Sequence, residues 1–139
     1  MKARSALSQK IKFKFKSGTL SPDTLTPADS KGFTDCSSFI CWALNIPKVV
    51  PGGILNIEGI YKSNLFKLSE HPAEGTLIIY PSTVSSGNRV TGHVAIISKS
   101  HGGIPTKIIH AHPDLPNVIE ETGLDMFFGK PSIYLELKA

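Results

Sequence analysis

The sequence predicts an α+β domain, on three observations. One apolar helical segment lies near residue 40, four short β-branched segments follow it, and no strands alternate with long helices. At 139 residues the chain fits a single domain, 1–139, and its 40% hydrophobic and 19% charged composition is that of a chain able to bury a core.

The elements follow in order. The basic start, MKARSALSQKIKFKFK, alternates Lys with Ile11, Phe13 and Phe15, as a half-buried strand does. Residues 17–34 are rich in Ser, Thr, Pro, Asp and Gly and have no period. They read as a long ordered loop. Loops of that length in compact domains are commonly functional, so this one is expected to line a cleft. In DCSSFICWAL, residues 35–44, Cys36, Phe39, Ile40, Ala43 and Leu44 share one helical face, with Asp35 as N-cap. Pro47, Pro51, Gly52 and Gly53 end that helix, and residues 54–68 are expected to form a short amphipathic one. TLIIYP (76–81), GHVAIISK (92–99), TKIIHA (106–111) and SIYLELK (132–138) read as strands of an antiparallel sheet, on which the cysteine helix packs.

A formal charge of +4 and a pI near 9.1 suit anionic partners. No helix-turn-helix, zinc-finger or base-stacking signature accompanies the charge, so no nucleic-acid partner is expected. No segment has the unbroken apolar stretch of a signal peptide or a membrane span, so membrane insertion is not expected. The reading is of a protein made in the cytoplasm, with delivery by a secretion machine or by phage lysis left open. Two cysteines, Cys36 and Cys41, are too few for a disulfide scaffold and lack the paired spacing of a zinc site. Five residues of helix hold their Cα atoms more than about 7 Å apart, so both are expected to be free thiols. No metal or cofactor is expected.

A thiol at the first turn of a helix meets the positive end of the dipole and unpaired N–H groups, which favour the thiolate. Cys36 holds that position and Cys41 does not, so Cys36 is expected to be alkylated first, at mildly acidic pH. His93 heads one predicted strand and His110 ends the next, which supplies a base and an orienting group. Singly, a cysteine is more often a packing residue and a strand histidine a satisfied polar one. The joint pattern points to nucleophilic catalysis.

These segments resemble the NlpC-type cell-wall cysteine peptidases. DCSSFICWAL is similar to their Asp-Cys-Ser-Gly-Phe helix start, PAEGTLIIYP to their Gly-Asp-Leu strand, GHVAII to their His-Val strand and IIHA to their third catalytic position. The motifs occur in the family's order across residues 35–111. Ser38 stands where the family usually has Gly, Thr76 where it usually has Asp, and the first tyrosine is Tyr61, so the upstream tyrosine that helps hold the oxyanion is missing. GHVAII also matches the related CHAP amidases, whose third group is usually acidic or Asn; IIHA favours the NlpC type. The resemblance implies a papain-like fold with Cys36 as nucleophile, His93 as base and His110 as orienting group. It implies hydrolysis of an amide in the peptide stem of peptidoglycan, by an antibacterial effector or a lysin, with an immunity protein as a possible partner. A non-catalytic module and an intracellular deamidase or acyltransferase of the same fold are the alternatives.

Hairpin register bears on the third group. If Ser100 pairs with Gly103, His93 faces His110; a two-residue turn at Gly102–Gly103 instead sets His112 opposite His93. Turn chemistry allows both, and the family resemblance favours His110.

Overall fold

The computed structural model describes residues 1–122, 124–127 and 129–138. Six antiparallel strands form the central sheet: β1 (Phe66–Leu68), β2 (Leu77–Tyr80), β3 (His93–His101), β4 (Ile104–His110), β5 (Ile119–Thr122) and β6 (Ile133–Leu137). Their spatial order is β5-β4-β3-β2-β6-β1. With helices α1 (Cys36–Ala43) and α2 (Ile57–Lys62), the architecture is α+β.

Every residue of α1 is buried, because the helix is sandwiched between the sheet and the N-terminal segment. Asp35 starts it: its side chain accepts from the Ser38 N–H at 2.7 Å, satisfying a donor that the first turn leaves unpaired. Asn45 stops it by taking a positive φ of 60°, while the Ile46 N–H turns back to the Cys41 carbonyl. Phe39, Ile40 and Cys41 pack with Leu77, Ile79, Val94, Ile96 and Ile109. The alternate residues Ile78, Tyr80, Ala95, Ile97 and Ile108 face the other way, onto Phe127.

Several local expectations are corrected. The start of the chain is not an alternating strand. Lys2–Ala6 is a 3-10 helix with Ala3 and Ala6 buried, and only Lys12–Phe13 is extended, pairing in parallel with Phe33–Thr34. Ile11 is buried but Phe15 is 60% exposed, so the Lys/Phe alternation does not report one buried face. The expected helix over 54–68 shrinks to α2. Gly53–Ile54 pairs with Val49–Val50, Ser63 leaves the helical region, and Phe66–Leu68 joins the sheet edge.

The loop over 17–34 does not line the cleft. Its polar backbone is used around α1 instead: the Ser17 carbonyl accepts from the Asp35 N–H at 2.8 Å, and the Thr24 carbonyl from Trp42 Nε1 at 2.8 Å. Gly18 lies so close to α1 that a Cβ there would fall 2.4 Å from the Ser38 Cβ. Ser38 is tolerated in the helix because the facing residue is glycine.

A hairpin the sequence did not announce, Thr83–Ser85 with Asn88–Val90, leads from β2 to β3. Ser86 and Gly87 both have positive φ, as its two-residue turn requires. Beyond it Gly92 crosses the end of β2, where a Cβ would lie 2.4 Å from the Tyr80 carbonyl oxygen. The obstructing atoms are backbone and cannot rotate away. Gly92→Ala is therefore expected to lower stability by about 1–3 kcal/mol, as an overpacked core site does, read from the urea midpoint.

Candidate active site

Three titratable side chains from three adjacent strands are joined in one line. His93 Nε2 lies 2.8 Å from His110 Nδ1, and His110 Nε2 lies 2.6 Å from Glu121 Oε2. The register that produces this is the one set by a two-residue turn at Gly102–Gly103. Ile104 pairs with His101 and Ile109 with Ile96, so His110 lies beside Ala95, and the same register extended reaches His112 opposite His93. The expected opposition of His110 and His93 does not occur, yet the two rings touch. Both face the same side of the sheet, and diagonal neighbours two residues apart remain within reach of an imidazole. The step repeats on the next strand: His110 pairs with Ile119, and the carboxylate it bonds belongs to Glu121, two residues further on.

His112 takes a different part. Its ring meets His93 edge-on with centroids 4.9 Å apart, and its Nδ1 accepts from the Asp114 N–H at 3.1 Å. It packs on the base without bonding to it.

The line fixes where the protons are. A carboxylate only accepts, so His110 Nε2 carries the hydrogen and its Nδ1 presents a lone pair. His93 Nε2 must then donate to that lone pair, which leaves His93 Nδ1 as the bare, basic nitrogen. Nδ1 has no hydrogen-bond partner among the described residues. Burial, followed by the His110 and His112 rings, pushes the His93 pKa well below 6.5, and His110 is lowered by burial against the opposing pull of Glu121. Both rings are neutral at physiological pH.

Cys36 and His93 border the same cleft, of about 240 Å³, together with Phe15, Lys16, Glu58, Tyr80, Arg89 and His112. The thiol lies at the end of the sheet, beside the Val94 N–H, while the His93 ring leaves the strand on the face turned away from α1. Among the described residues no hydrogen bond joins sulfur to imidazole. A larger groove, about 470 Å³ between Val50 and Asn64, holds neither cysteine nor histidine.

Charge around the thiol differs from the sequence expectation. Burial, and then the neighbouring Asp35 carboxylate, pushes Cys36 up to about 12; the Val94 N–H, Lys48 and the Ser37 N–H pull the other way but do not prevail. Cys41 is likewise raised to about 12 by burial, and its sulfur points to the Leu55 carbonyl at 3.8 Å. What separates the two thiols is access to the cleft.

Two residues of this neighbourhood escaped the sequence reading. Glu121 sits in VIEET, a short β-branched run between Pro116–Asn117 and Gly123 that carries a strand signal. Lys48 carries no such signal: it is a lysine folded under the start of α1. Thr76 accepts from the Ala73 N–H through its hydroxyl. No family model matches the chain, and no curated protein matches it either. Among the described residues no helix is long and apolar enough to cross a membrane.

Two outcomes are expected. Alkylation of Cys36 by iodoacetamide should rise steadily from pH 6 to pH 10 without an acidic plateau, and should precede that of Cys41, read by peptide mass spectrometry. The second concerns acid. An unfolded histidine takes its proton near pH 6.5 while folded His93 resists it to lower pH, so below 6.5 the unfolded state binds more protons. Stability is then full above about pH 6.5 and falls as the pH drops, and His93→Gln should flatten that fall in urea titrations at pH 7.5 and 5.

Proposed function

We propose that the chain is a papain-like cysteine hydrolase of the NlpC type, acting on an amide in the peptide stem of bacterial peptidoglycan. One observation carries the reading: the hydrogen-bonded line from Glu121 through His110 leaves His93 with an unprotonated Nδ1 at the cleft that also holds the Cys36 thiol. The helix with cysteine at its first residue, packed on an antiparallel sheet with histidine at the head of a strand, supports the fold assignment.

Thiol and imidazole are both neutral at rest, so the reaction starts from general-base catalysis rather than from a standing ion pair. As the Cys36 sulfur attacks the substrate carbonyl, His93 Nδ1 takes the thiol proton. The new imidazolium is stabilised through His110 by the charge of Glu121. It then protonates the leaving amine, and water, deprotonated by His93, hydrolyses the thioester. Cys36 and Tyr80 both line the cleft, so the Cys36 N–H and the Tyr80 hydroxyl are the donors on offer to the oxyanion. In an apo site such contacts are often long and tighten with substrate, so sulfur and Nδ1 are expected to meet on binding. The charge of +4 suits an anionic wall, and an antibacterial effector or lysin, restrained by an immunity protein, is the setting in which we place the activity.

A non-catalytic module of the same fold is favoured by one feature, the buried neutral thiol without an imidazole partner. Digestion of purified peptidoglycan, read by mass spectrometry, separates the readings: new stem-peptide termini support the hydrolase, and intact wall with bound protein supports the module. Cys36→Ala and His93→Ala are each expected to reduce turnover about a thousandfold or more, as members of one catalytic unit do. His110→Ala should lower kcat/KM more than His112→Ala, because only His110 sets the tautomer of the base. The reverse ranking would transfer the orienting role to His112.

A further inference from the structure

The cap that begins α1 works against the chemistry proposed for its first residue. Asp35 is needed to start the helix at Cys36, but its carboxylate lies beside the thiol and opposes charge on the sulfur. Helix start and thiolate therefore make contrary demands on one spot. Directly beneath lies Lys48, whose side chain is 4% exposed, an unusual place for a lysine. Its Nζ donates to Ser38 Oγ at 2.5 Å and to Ser37 Oγ at 3.1 Å, and stands 3.5 Å from Asp35 Oδ1. Two of its three contacts are neutral hydroxyls from the first turn of α1, so the carboxylate is its sole anionic partner, and a loose one, among the described residues.

We propose that Lys48 is a positioning residue that clamps the first turn of α1 and offsets the charge of its Asp35 cap, which helps the Cys36 sulfur to carry negative charge during attack. The proposal rests on Cys36 being the nucleophile. A buried ammonium is costly unless paired, which explains why it is held by three oxygens at once. Its placement meets both demands: the cap keeps its hydrogen bond to Ser38 N–H, and the ammonium opposes the effect of the carboxylate on the sulfur. Among the described residues, the remaining ionisable groups bordering the cleft with Cys36 are Lys16, Glu58, Tyr80, Arg89, His93 and His112, none of which bonds Asp35. The positive fields pulling the thiol down thus come from Lys48 and two backbone N–H groups.

The test is the alkylation rate of Cys36 in the full chain at pH 9, where the thiolate displaces iodide from iodoacetamide, read by peptide mass spectrometry. It uses no wall fragment, so its outcome is independent of whether peptidoglycan is the substrate. Lys48→Gln keeps a donor and removes the charge. A one-unit rise in thiol pKa cuts the thiolate about tenfold, and the higher nucleophilicity of the more basic sulfur leaves a net fall of about threefold. Lys48→Gln should therefore be alkylated about threefold more slowly, or slower still. Asp35→Asn keeps the cap, Asn being an equal N-cap, and should be alkylated faster than the parent. Lys48→Gln in the Asp35→Asn background removes both charges, avoids stranding either one, and should fall back toward the parent rate. Should Lys48→Gln alone fail to fold, that second pair decides. Equal rates for Asp35→Asn and the double variant would overturn the proposal, as would a folded Lys48→Gln protein alkylated at the parental rate.

Discussion

The candidate site depends on one bond, the contact between the two imidazoles of His93 and His110. Imidazole is ambivalent: either nitrogen can donate or accept, and a lone histidine at a cleft interconverts freely between tautomers. Glu121 removes the ambiguity at one end of the line, and the removal is transmitted across a strand to the other. Each link is diagonal rather than directly across. Both steps run two residues in the same sense, which lets three flat side chains lie edge to edge on one face of the sheet.

Electrostatics elsewhere follow from burial. Phe127 covers His93 on the same face, and the His110 side chain is fully buried, so both rings are held neutral. At the end of the sheet the thiol meets the same low-dielectric surroundings plus the Asp35 cap, and it too stays neutral. Neither the thiol nor the two imidazoles carries charge at rest. The dipole of an eight-residue helix is outweighed by desolvation, because full burial can move a titratable group by several units while a helix end contributes about 1 kcal/mol.

The sequence was most legible where one physical signal dominated. The cap at Asp35, the helix that follows it and the four β-branched strands all follow from local period and turn chemistry, and all are present. The N-terminal alternation misled because its period was real but its burial was not: with two paired residues there is no second layer to cover Phe15. Residues 54–68 misled because an amphipathic pattern long enough for a helix was divided among a short pairing, one helix and an edge strand. His93 and His110 were found by their strand positions, but their contact could not be derived from a register argument that allowed only direct opposition. Lys48 lay beyond any sequence rule, since its burial is the result of tertiary partners that local pattern does not encode.

One end of the imidazole line rests on β5, and β5 is an edge. It pairs with β4 on one side only, and its companion residue Glu120 is tied at 3.0 Å to Arg4 of the N-terminal 3-10 helix, whose guanidinium also holds the Ser98 carbonyl. Edge strands fray at far less cost than the whole domain unfolds. Each fraying event would lift Glu121 from His110 and return both rings to free tautomer exchange, with the core intact. Through Arg4, the first residues of the chain are tied to the strand that carries Glu121.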